Sequence, residues 1–124
     1  MTNPARRVLL VVRQQGNARV LAQAVEEAGL TPAHAPSASE IKRWLTGPEP
    51  PSVALVDTSG FGGDVWSLCH QLHENGIAFV VLAGSRDRTA SSQSLACGAA
   101  RVIEKPVAKE ALLNLLQSLS PCGL

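Results

Sequence analysis

Three stretches of this chain are apolar without a break: residues 8–12 (VLLVV), 53–56 (VALV) and 77–83 (IAFVVLA). None approaches the length of a membrane span, and none alternates apolar with polar residues, so each reads as a strand covered on both faces. Strands of that kind sit inside a parallel sheet, because right-handed crossovers place the connecting helices on both of its sides. The chain is therefore expected to be α/β, a doubly wound five-stranded parallel sheet.

The connecting segments carry helix patterns. Over residues 17–28, Val20, Leu21, Ala24, Val25 and Ala28 fall on one helical face, and Gly29 follows as a stop. Residues 31–35 are short and contain Pro32, which suits an edge strand. Ser37 and Glu40 have capping-box spacing ahead of Ile41, Trp44 and Leu45, and Gly47-Pro48 ends that helix. Val65, Leu68, Cys69 and Leu72 recur at i, i+3, i+4 and i+7, closed by Gly76. A helix over about 87–97 is the weakest, since TASSQS offers little apolar surface; it is expected to be the most mobile element. Residues 100–103 form a short fifth strand, Lys105-Pro106 turns the chain, and Leu112, Leu115, Leu116 and Leu119 stripe a last helix.

The 124 residues suffice for one domain, 1–124 with its core at about 7–119, that needs no disulfide or metal to fold. Eleven basic against ten acidic residues leave no electrostatic footprint for direct nucleic-acid binding or for a membrane surface. Cys69, Cys97 and Cys122 are odd in number and fit no C-x-x-C spacing, which suits reduced thiols in the cytoplasm. Residues 1–7 lack the apolar segment of a secretory signal.

The third strand ends on a carboxylate, Asp57, followed by a loop with Gly60, Gly62 and Gly63. The carboxyl edge of an open α/β sheet is where ligands and chemistry collect. The glycines are most simply loop flexibility, being neither a dinucleotide fingerprint nor a Walker loop. His70 and His73 lie a helical turn apart with Cys69 adjacent, but Cys69 faces the core while the histidines face out, and two ligands close no zinc shell. Trp44 and Trp66 read as partial core residues, with Trp66 suited to a docking surface if exposed.

Five βα units, Asp57 ending the third strand, the loop to Asp64, the GAARVIEKP stretch over 98–106 and the leucine-rich last helix together resemble a receiver domain of the two-component response regulators. The likeness runs from Arg7 to Leu119. It implies the flavodoxin-like (βα)5 fold with strand order 2-1-3-4-5, Asp57 as phospho-acceptor, and Lys105, before a commonly cis Pro106, reaching toward the phosphoryl group. Attack by a carboxylate on phosphorus requires the gathering negative charge to be neutralised, which this family does with Mg²⁺, a lysine and a hydroxyl.

Several family positions depart from that pattern. The two acids that end the first strand and help hold Mg²⁺ are replaced by Val12 and Arg13, or by Arg13 and Gln14 if the register shifts by one. The hydroxyl at the end of the fourth strand is Ala83, and the aromatic switch residue of the fifth is Val102. What survives is Asp57 with Lys105, and Arg13 is expected to set a second positive charge beside Asp57 in the cation's stead. The plain alternative for Asp57 is a carboxylate paired by these cations that does nothing chemical, and for Lys105 a surface lysine before a turn. A dehalogenase-like phosphatase would need a second aspartate where Ser59 stands.

The resemblance thus implies a receiver-like signalling module of a bacterial two-component or phosphorelay pathway. It is a pseudo-receiver working through protein–protein interaction, with weak or no phosphorylation and weak or absent Mg²⁺ binding. Its partners are a protein such as a histidine kinase or a downstream output domain, and no enzymatic activity is expected beyond self-phosphorylation. The other reading is an active receiver phosphorylated on Asp57 by a histidine kinase. A homodimer stays open, as does a stand-alone regulator against a piece of a longer chain.

Overall fold

The computed structural model describes residues 7–47, 51, 53–58, 61, 64–83, 98, 101–104 and 109–119. In chain order these give β1 (Arg7–Val11), α1 (Gln15–Glu27), β2 (Thr31–His34), α2 (Ala38–Leu45), β3 (Val53–Asp57), α3 (Asp64–Glu74), β4 (Ala78–Ala83), β5 (Arg101–Glu104) and α4 (Lys109–Leu119). The weak helix expected over 87–97 lies outside the described residues, as do Cys97, Cys122 and the Lys105-Pro106 turn.

All five strands run parallel in the order β2-β1-β3-β4-β5. The strand with proline, β2, is at an edge, where Pro32's missing N–H is least costly. The apolar run of β3 is buried at every residue because β1 and β4 cover its edges and helices cover its faces.

Strand alternation divides the core in two. Val8, Leu10, Val12, Val53, Leu55, Val80 and Leu82 meet Leu21, Val25, Leu112, Leu115 and Leu116 on the side of α1 and α4. Leu9, Val11, Ala54, Val56, Phe79 and Val81 meet Ile41, Val65, Leu68, Cys69 and Leu72 on the side of α2 and α3. The described stripe residues read from spacing face the core, with Ala28, Trp44 and Leu45 partly buried, apart from Val20, which is 64% exposed. On α1 the buried line runs through Leu21, Ala24 and Val25, and Val20 falls outside it.

The Ser37 half of the capping box ahead of α2 forms as its spacing predicts, while the Glu40 carboxylate pairs with Arg43. Ser37 Oγ accepts from the Glu40 backbone N–H at 3.4 Å, which supplies one of the donors a helix start leaves open. The loops after β1 and β3 therefore open on the same edge of the sheet, above the start of α1 and α3.

Candidate functional site

Asp57 is the last residue of β3 and is 2% exposed, the one charged side chain buried among the described residues. The ladder to β4 continues past it: Asp57 pairs with Leu82 in register, and the Thr58 backbone N–H donates to Leu82 O at 3.2 Å. The backbone on both sides of the carboxylate is thus fixed by the sheet.

Asn17, in the first turn of α1, reaches that carboxylate. Its Nδ2 donates to Asp57 Oδ2 at 3.0 Å and to Gln14 Oε1 at 3.2 Å. An ionised carboxylate only accepts, so the amide must turn its NH₂ toward Asp57, and its second N–H is then taken by Gln14. A hydrogen bond to a charged group in a part-buried site is among the stronger kinds.

The three residues read for the end of the first strand send their side chains to different places. Val12 lies wholly within the core on the α1–α4 side, and its carbonyl accepts from His34 Nε2 at 2.7 Å. Arg13 and Gln14 stand at the mouth, Gln14 on the side of Asp57 through Asn17. Arg13 does not take the place beside Asp57 that the sequence suggested. Its guanidinium forms an ion pair with Asp64 at 3.0 Å and lies over the Phe61 ring, 4.4 Å from its centroid. The reason is alternation: Leu9 and Val11 face α2 and α3, and Arg13 continues on that side toward the start of α3.

The two altered switch positions are apolar in place. Ala83 ends β4 buried, with no hydroxyl to offer, and Val102 packs half-buried against the α2–α3 core. Lys105, Ser59, Gly60, Gly62 and Gly63 lie outside the described residues. Cys69 is buried and both histidines are exposed, with His70 paired to Glu74 at 3.2 Å. Trp66 packs partly against the α2–α3 core; Trp44 does so as well, and its indole N–H donates to His34 O at 3.2 Å.

The donors present do not suit Mg²⁺, which takes hard oxygen ligands, usually one or two carboxylates with waters. The end of β1 offers a buried methyl-bearing side chain, a guanidinium committed to Asp64, and a carboxamide bonded to Asn17. Among the described residues no three His, Cys, Asp or Glu side chains gather to hold a metal. Sequence reading missed Asn17 and Phe61. The signal for Asn17 was faint: a polar residue three positions beyond Gln14, at the edge where Asp57 emerges.

No protein-family profile matches the chain, and no curated protein does. Solved structures do. A response regulator from Thermotoga maritima superposes with a TM-score of 0.79 at 21% identity, covering 94% of this chain and 98% of that one. A CheY-like response regulator receiver domain protein from Methanospirillum hungatei gives 0.78 at 24% identity, with 93% of each covered. NtrX from Brucella abortus gives 0.80 at 17% identity, covering 94% of this chain but 26% of that longer one. The chain has the receiver fold, flavodoxin-like, with the strand order expected of it.

Proposed function

We propose that this chain is a receiver-like signalling module of a bacterial two-component or phosphorelay pathway, acting by protein–protein contact with little or no phosphorylation of Asp57. One observation carries the second half of that reading. The loop after β1, where a metal-dependent phosphoryl site would place carboxylates, presents Arg13 to Asp64 and Gln14 to Asn17 instead. Without a divalent ion the charge that gathers when a carboxylate attacks phosphorus has no strong counter-charge from this loop. Ala83 adds no donor.

The receiver fold supports the signalling half, and the match to one quarter of the longer Brucella NtrX supports reading such a unit as one that works with an output domain. On this reading residues 1–124 are a single domain that acts in the cytoplasm. Its partners are proteins, a histidine kinase or a downstream output domain, with no direct contact to nucleic acid or membrane. No helix among the described residues is long and apolar enough to cross a membrane.

The rival reading, an active receiver, is favoured by the position of Asp57 itself at the carboxyl end of the central strand, with Lys105 in the role of phosphoryl contact. Intact-protein mass spectrometry separates the two. After incubation with acetyl phosphate and Mg²⁺ the expected result is no added phosphate mass. A stoichiometric adduct that Asp57→Asn abolishes would establish the active receiver and reject the pseudo-receiver.

A further inference from the structure

We propose that Asn17, held by Gln14, is the positioning residue that takes over at Asp57 the role a bound divalent ion would play, so that these two amides make the site metal-independent. The inference rests on the metal-free reading above and adds which residues enforce it.

The geometry runs through three side chains. Asp57 is buried and cannot rely on water, so its Oδ2 needs a donor from the protein. Asn17 Nδ2 supplies it at 3.0 Å, and the same nitrogen spends its second hydrogen on Gln14 Oε1 at 3.2 Å. Gln14 thereby fixes the rotation of the Asn17 amide, and Asn17 fixes the carboxylate. The arrangement is neutral apart from Asp57 itself, and the nearby guanidinium of Arg13 is spent on Asp64. A divalent ion binding at Oδ2 would have to displace the Asn17 N–H, and the end of β1 as described offers it a carboxamide oxygen at Gln14 rather than a carboxylate. Hard-cation sites are built the other way, with charged oxygens from more than one residue.

Three elements thus converge: α1 gives the donor, the loop after β1 gives its orienting acceptor, and β3 gives the carboxylate. Exchanging the two amides for an acid and a small apolar residue removes the internal donor and supplies a second carboxylate on the Asp57 side of the loop. A change at Gln15, exposed at the start of α1, made with the same loss of Asn17, adds the same charge one position away and leaves Gln14 uncharged.

The test is titration of the ¹⁵N-labelled full chain with MgCl₂, read from backbone amide shifts around Asp57 and from the Asn17 side-chain NH₂ signal. Wild type and Gln15→Asp/Asn17→Ala should show no saturable shifts. Gln14→Asp/Asn17→Ala should bind saturably and at least roughly tenfold more tightly than wild type. If that double variant is poorly folded, as judged by amide dispersion, Gln14→Glu/Asn17→Ser serves, since it keeps the length of the Gln14 side chain, adds the charge and still removes the amide donor from Asp57. Saturable wild-type shifts would overturn the metal-free reading together with this inference. A silent wild type with both Gln14 variants equally silent would overturn the inference alone, as would equal gains from the Gln15 and Gln14 variants.

Discussion

Arg13 Nη2 stands 3.0 Å from Asp64 Oδ2, with the guanidinium flat enough on Phe61 to hold its carbon 4.4 Å from the ring centre. This pair ties the loop after β1 to the first residue of α3. It also removes from Asp57 the cation most simply placed there by sequence position, while a neutral amide from the first turn of α1, Asn17, donates to that carboxylate. A guanidinium can make both contacts because it is planar and weakly hydrated, which a lysine at this position could not reproduce.

The Arg13–Asp64 pair should contribute little to stability despite its position. Both side chains are well exposed, 42% and 50%, and exposed pairs are screened by water and salt. Arg13→Gln is expected to cost about 0.5–1 kcal/mol in urea melts at low salt, including the contact with Phe61. The difference should shrink in about 1 M NaCl, where the Debye length is only ~3 Å.

Neighbouring positions on α1 should respond in opposite ways. Val20 is 64% exposed and Leu21 is 6% exposed, so Val20→Ser is expected to change stability by less than about 0.5 kcal/mol. Leu21→Ala, which leaves a cavity against the α1–α4 side of the sheet, should cost about 2–4 kcal/mol. Equal losses at the two sites would mean that α1 is rotated from its described seat.

What the sequence made legible was set by local rules. The apolar run of β3 and its terminal Asp57 follow from burial on both faces, Pro32 marks β2 as an edge, and Ser37 with Glu40 marks the start of α2 through a hydrogen bond spanning three residues. The site was less legible because its contacts are not local. Asn17 meets Asp57 across 40 positions, and only the crossing of α1 over the sheet brings them together. Arg13's choice of Asp64 over Asp57 depends on which face of β1 it continues, and that parity cannot be fixed until the register of β1 on β3, Val11 opposite Val56, is known.

Gly98 is held by a conflict with α3. It has φ of +92°, and a Cβ there would fall inside the imidazole of His73. Gly98→Ala should therefore lose about 1 kcal/mol for the left-handed backbone and a smaller further part, under about 1 kcal/mol, for overlap with a ring that is exposed and can turn aside. Only the second part is relieved by His73→Ala. The Gly98→Ala/His73→Ala double variant is thus expected to be more stable than the sum of the single losses, a coupling that chemical denaturation reads directly.

The bond between Asn17 and Asp57 should be the strongest single coupling at the carboxyl edge. Asp57→Ala removes a buried carboxylate and strands the Asn17 N–H, while Asn17→Ala takes one donor from a carboxylate that has another contact, so each single change mixes the pair with other contacts of the residue. A double-mutant cycle cancels those other contacts. The expected coupling is about 1.5–3 kcal/mol, the range for a hydrogen bond to a charged group, and it should change little between low and high salt because the pair is part-buried. Asp57→Asn separates charge from geometry: its amide oxygen can still accept from Asn17, so the bond persists as a neutral one and the buried charge is gone. That variant should lose less stability than Asp57→Ala, which is destabilised by about 1–3 kcal/mol. A coupling below about 0.5 kcal/mol in the cycle would show that Asn17 does not hold the carboxylate in solution.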